Sequence, residues 1–422
     1  MAHSIDGYAL DTPHVNKHVS TGLWKLRLAF GCTILFAALV GLFALSWDIQ
    51  WHIAVGRDRT LTAPHLFILG SAMLMGLAAL ASVLIETVWA RHSIPVAKSG
   101  TTFAGFFSSS LGAYLVGYGA LDAAIGFPID QYWHTLYGVD VAIWAPFHVM
   151  LLTGFCICCL GVTYMLIEGA RLAEQQGATR AARVEYLSAI VALATLMGML
   201  SIFLPSALST GYVSLGKLAF TVYPLMLGIM GTFVLSVAIR ALPWRRAATS
   251  VAVIYMLFGV VQFLLIPPLM TWLLGVEQQR LLPMAPRVSF LAMFWQYPLI
   301  VAAILLDSLT WLAQRRKWSR RRRNRVTFVA ASVGMSLAAL FYPFFIHSQL
   351  LSTAFVYSMV SSGSHIVVHT IAKGIRAVPP QMGMNMTSVV IVVISLLLGV
   401  LGTYGGYWLG GRMGDVMQRK DQ

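Results

Sequence analysis

Two stretches decide how this chain is read: DIQWHIAVGRDRTLTAPH at residues 48–65 and DQYWHTLYGVDVAIWAPFH at residues 130–148. Asp48, Trp51, His52, Gly56 and Asp58 recur 82 positions later as Asp130, Trp133, His134, Gly138 and Asp140. The closing histidine recurs too, His65 as His148, displaced by one inserted residue, Phe147. Both stretches lie between apolar runs of about 20 residues, the length that crosses a bilayer as a helix. They are therefore expected to join pairs of membrane helices.

Asp and His four apart share a helical face, one turn from each other, so both can address the same atom. A histidine at the start of the next helix would complete a three-ligand set. Neutral imidazole with carboxylate suits copper, iron or zinc rather than magnesium or calcium, and three protein ligands leave a coordination position open. The candidate ligands are Asp48, His52 and His65 in the first copy, and Asp130, His134 and His148 in the second. A plainer reading makes these loops ordinary interfacial segments, where polar and aromatic residues are enriched. Repetition of the same residue types in the same order argues against it. Trp51 and Trp133 are expected to anchor the loops at the interface, and Arg57 beside Asp58 offers a bracing ion pair.

With 422 residues, 58% apolar and only 10% charged, and a mean hydropathy of +0.76, the chain reads as multi-pass membrane protein without a large soluble domain. The expected class is all-α, a polytopic bundle of about ten spans. Their cores are expected at 24–47, 65–88, 103–126, 148–169, 186–207, 217–240, 250–274, 288–312, 327–346 and 387–410. The net charge of +14 sits mainly at alternate helix ends, with 22 of the 29 lysines and arginines on one side. That bias reports orientation and not a nucleic-acid partner. It puts both termini in the cytoplasm and both Asp/His stretches on the extracytoplasmic side of an inner (cell) membrane. The basic run from Arg315 to Arg325 is expected to lock topology and to meet anionic lipid heads.

The remaining features are weaker. Residues 1–23 form a polar cytoplasmic tail with His3, His14 and His18 but no signal-peptide core, so the first apolar run reads as an uncleaved anchor. Cys32, Cys156, Cys158 and Cys159 lie in apolar runs and suggest packing instead of a disulfide framework. Glu86, Glu168 and Asp307 fall near inner helix ends, where pairing or snorkelling explains them more simply than a proton relay. Gly402, Gly406 and Gly410 make a smooth stripe suited to close helix packing. An outer loop at 347–386 carries His365, His369, Met382, Met384 and Met386, donors that also suit soft Cu(I).

The ordered pattern Asp48-x-x-Trp51-His52 with Arg57-Asp58, Thr62 and His65 resembles the copper-site loop in the C subunit of particulate methane monooxygenase and ammonia monooxygenase. The second copy resembles a later site of the same subunit, with Asp130 where that family has Asn. The likeness covers roughly residues 20–175, so the chain divides into a duplicated copper-site region at 24–175 and additional membrane helices of unassigned role at 176–422. It implies a membrane-embedded oxidation of a small apolar substrate with O2 and quinol electrons, one or two copper ions, companion subunits and a homo-oligomer. On that reading Asp58 and Asp140 are the catalytic, proton-handling carboxylates beside the ligands. Zinc or iron also fits the donor set. A copper-dependent monooxygenase-like component is favoured. The alternative is a non-catalytic protein that acquires, stores or transfers copper, and a scaffold or transporter stands behind both.

Overall fold

The computed structural model describes residues 22–55, 61–137, 143–209, 213–215, 218–280, 289, 292, 295–346 and 386–418. Asp58, Asp140, Arg57, the three tail histidines, His365, His369, Met382 and Met384 lie outside them. The described chain is almost wholly helical. Its long elements are α1 (Leu23–Val55), α2 (Ala63–His92), α4 (Leu111–Tyr137), α5 (Pro146–Gln175), α6 (Thr179–Ser201), α8 (Tyr223–Ala241), α9 (Ala247–Glu277), α10 (Leu299–Arg315), α11 (Arg320–Ile346) and α12 (Met386–Gln418), with α3 (Ile94–Lys98) and α7 (Phe203–Ser209) as short connectors.

At about 1.5 Å per residue α1 is about 50 Å long, well beyond a hydrocarbon core of about 30 Å. Its last turns carry Asp48, Trp51 and His52. Helix α2 opens on Ala63-Pro64, where the missing proline N–H is harmless, and returns antiparallel to α1. One register serves both ends of this hairpin. Arg27 lies opposite Glu86, with nitrogen and oxygen 2.9 Å apart, and Asp48 lies opposite His65, 3.1 Å apart.

Helices α4 and α5 form a second antiparallel hairpin, built on glycines. Gly112 faces Gly161 and Gly119 faces Gly154, each where a methyl group would strike the other backbone. Such close approach sets the register that delivers Asp130 and His148 to the same end. Gly154→Val would drive a Cβ to 2.5 Å from the Gly119 carbonyl oxygen. It is expected to cost about 1–3 kcal/mol by overpacking, seen as a lowered unfolding midpoint in detergent. The stripe of Gly402, Gly406 and Gly410 does the same on α12, each glycine abutting a backbone carbonyl of α8, those of Leu225, Ile229 and Phe233.

Among the described residues seven segments are long and apolar enough to cross a membrane: Leu23–His52, Ala63–His92, Pro146–Gln175, Thr179–Pro205, Tyr223–Ala241, Ala247–Glu277 and Val392–Gln418. The other three expected spans are helical but differ from their anticipated limits. The segment 103–126 begins as a hairpin, β1 (Thr101–Phe103) paired antiparallel with β2 (Phe107–Ser109). Its turn uses left-handed Ala104 and Gly105, and its threonines and phenylalanines favour strand. Helix then starts at Leu111 and continues through Asp122 and Asp130. Within the span expected at 288–312 the long described helix runs from Leu299, and α11 opens on the basic run. A second hairpin, β3 (Val213–Leu215) with β4 (Leu218–Phe220), precedes α8.

Among the described residues the larger of two apolar clusters runs through both halves of the chain. Phe155, Met165 and Leu166 of α5 and Leu193 of α6 are fully buried with Ile34 of α1, Leu235 of α8 and Tyr255 of α9. Large apolar side chains such as Phe36, Leu77, Leu264, Trp272 and Leu397 face outward, as lipid contact requires. Asp307 of α10 is buried and accepts backbone N–H bonds from Ala248 and Thr249, at 3.2 and 2.7 Å. It therefore caps the first turn of α9 from a neighbouring helix.

Candidate metal centre

Each polar stretch folds into the same device: a long helix presents Asp and His one turn apart, and the next helix presents a histidine at its third position. In the first centre His65 Nε2 lies 3.1 Å and His52 Nε2 3.5 Å from Asp48 Oδ1. In the second, His134 Nε2 lies 3.0 Å and His148 Nε2 3.5 Å from Asp130 Oδ2. In both triads one ligand-capable atom from each residue falls within 4.8 Å of the others. Phe147, the inserted residue, is absorbed at the helix start, since α2 begins one residue before its proline and α5 begins on it.

The spacing fits a metal ion as well as imidazole–carboxylate hydrogen bonds, which join His65 to Asp48 and both His134 and His148 to Asp130. A tetrahedral ion with bonds of about 2.1 Å holds its ligand atoms about 3.4 Å apart. Asp48 Oδ1 is approached by two imidazoles, and Asp130 Oδ1 is buried without a hydrogen-bond partner. All six side chains are partly covered, from 14% exposed at His134 to 30% at His148. That burial would screen a bound ion while leaving a side open to solvent or a small molecule.

The two centres are neighbours. Asp48 lies within electrostatic reach of His148. Phe127, one turn before Asp130 on α4, packs edge-on against His65 with ring centroids 6.0 Å apart. This residue has no repeat-based signal, since its only mark in the sequence is its position three before a candidate ligand.

The tryptophans depart from expectation. Trp51 is fully buried with Trp47, against Ile266, Met270, Leu273 and Leu274 at the far end of α9, so it is a core residue and not an interfacial anchor. Trp133 is half-buried and packs on Phe147 of its own hairpin.

The chain matches no family model, no curated protein and no solved structure.

Proposed function

We propose that this chain is a membrane-embedded, copper-dependent oxidoreductase, a monooxygenase or a subunit of one, acting on a small apolar substrate with O2 and quinol electrons. The observation that carries the reading is the duplicated Asp/His/His set, with both copies spaced as metal ligands and set side by side. Asp48, His52 and His65 would hold one ion, and Asp130, His134 and His148 a second. Copper in such a site supplies redox chemistry toward O2. The chain's own contribution is to fix three donors on helices, leave one side open, and set that side next to lipid, where apolar substrate concentrates. Phe127 packs against His65, and Trp47 and Trp51 back the helix that carries Asp48 and His52. Asp58 and Asp140 would handle protons beside the ligands.

The reading extends to topology and assembly. Ten crossings with both termini cytoplasmic place the triads at the extracytoplasmic face of the cell membrane. The opposite helix ends carry the Arg240, Asn324, Arg320 and Asp415 contacts, together with Arg315, Arg322 and Arg412 laid over Trp311, Trp318 and Trp408. Clustered arginine and tryptophan suit an anionic cytoplasmic leaflet. The resemblance to the monooxygenase C subunit makes companion subunits and a homo-oligomer part of the proposal.

Oxygen uptake by copper-loaded protein in nanodiscs, with quinol added, tests the function. Uptake that falls at least about 100-fold in His52→Ala or His134→Ala is expected for a metalloenzyme. Copper binding without uptake in the wild type, with companion subunits present, would instead assign the chain to copper acquisition, storage or transfer.

A further inference from the structure

At the end of the bundle opposite the triads, three carboxyl groups converge on one guanidinium. Arg27 of α1 donates from Nε and Nη2 to Glu86 of α2, at 3.3 and 2.9 Å, and its Nη1 stands 3.6 Å from Glu168 of α5. Both Arg27 and Glu86 are 1% exposed. Glu86 also accepts the Ser110 backbone N–H, and the Ser110 hydroxyl donates to Glu168. The third carboxyl, Glu185 in the second turn of α6, is the anomaly. It is 0% exposed, and neither of its oxygens has a hydrogen-bond partner.

The fold makes room for this group. Its carboxyl lies against Gly169, the residue after Glu168, so closely that a Cβ there would sit 2.5 Å from one oxygen and 3.1 Å from the other. Around it stand Arg27 and Cys32 on α1, with Glu86 on α2 reached through Arg27. Glu168 precedes Gly169 on α5 and pairs with Arg27. Farther along, Glu174 of α5 is occupied by the Tyr186 hydroxyl at 3.2 Å, with Arg171 nearby. One arginine cannot balance three carboxylates, and Glu86 already accepts two of its hydrogen bonds while Glu168 pairs with it at 3.6 Å. An ionised carboxylate buried without a donor is far less stable than its neutral acid.

We propose that Glu185 is a proton-binding site, holding one proton as the neutral acid within the Arg27, Glu86 and Glu168 cluster. Uptake is the simple step in which the carboxylate oxygen gains H+, and Glu168, 18% exposed, is the most exposed member of the cluster. A metal cation does not suit the place. Hard cations take about six or more oxygen ligands, and a glycine Cα and apolar neighbours supply none. The site is also remote from the triads. Arg27 and Asp48 lie 21 residues apart on one helix, about 32 Å, with Ile34, Ala38 and Leu42 buried between them. It therefore stands independently of the metal reading.

Infrared spectroscopy of metal-free full-length protein in nanodiscs tests it. At neutral pH the wild type is expected to show a protonated-carboxyl carbonyl band that shifts in D2O, is lost in Glu185→Gln, and persists in Glu168→Gln. Glu185→Gln should leave the unfolding midpoint at neutral pH unchanged, because it replaces one neutral group with another. A Glu185→Gln spectrum that keeps every such band would overturn the proposal, as would a wild type with no such band at neutral pH, whatever the variants do. A band that appears only when sodium is withdrawn would overturn it too, in favour of a sodium site.

Discussion

Wild-type protein purified in mild detergent and supplied with copper is expected to hold two ions per chain, and His52→Ala or His134→Ala one. Each variant removes one of three donors. Disturbing only the groups behind a ligand typically weakens binding about 10–100-fold, so loss of a ligand itself should exceed that and empty the site at micromolar metal. Asp48→Ala should act as His52→Ala does, because Asp48 Oδ1 is the atom both imidazoles of the first centre approach. The double variant His52→Ala/His134→Ala should bind none. Protons compete with metal for imidazole, so occupancy should fall as the pH drops below about 6 and return on neutralisation. Elemental analysis after desalting reads all of these. A wild type that retains no transition metal would leave the triads as structural pairs and remove the basis for an oxidase.

The second large effect is at the other end of the same hairpin. Arg27→Met should destabilise the chain by about 3–5 kcal/mol, the usual consequence of removing one partner of a buried ion pair. Glu86 would remain, 1% exposed, with only the Ser110 N–H and the Ser82 hydroxyl to bond it. Adding Glu86→Gln to Arg27→Met should recover much of the loss, because the stranded charge disappears. Denaturant or thermal unfolding in detergent, compared across the two single variants and the double, measures the coupling. Equal losses that simply add would show that the pair contributes nothing beyond its separate parts.

What could be read in advance depended on range. The grouping of the two Asp/His/His sets is legible because each is local: Asp48 and His52, like Asp130 and His134, are one helical turn apart, and the third histidine is marked by Ala-Pro at a helix start. The helical class followed from the apolar runs. Hydropathy alone could not separate the β1–β2 hairpin from a helix, since Thr101–Ser109 is as apolar as the helix it precedes. In sequence Arg27 is one more basic residue near a helix end, yet it is buried against Glu86, 59 positions away. Nothing in a linear reading pairs residues at that distance. Glu185 was equally silent, because its oddity is the lack of partners in space, and the glycine that admits it, Gly169, belongs to another helix. Trp51 and Trp133, alike in the repeat, diverge because only one of them meets α9.

That last difference makes the two centres mechanically unequal. Trp47 and Trp51 each precede a candidate ligand by one residue and are wedged against α9 beyond its Pro267-Pro268 pair. The corresponding Trp133 leans on Phe147, within its own hairpin. A tilt of α9 would thus be felt at Asp48 and His52 first, while the twin centre stays seated on its glycine-locked helices. The two copies of the motif are thus seated differently, one against α9 in the C-terminal half and the other within its own hairpin.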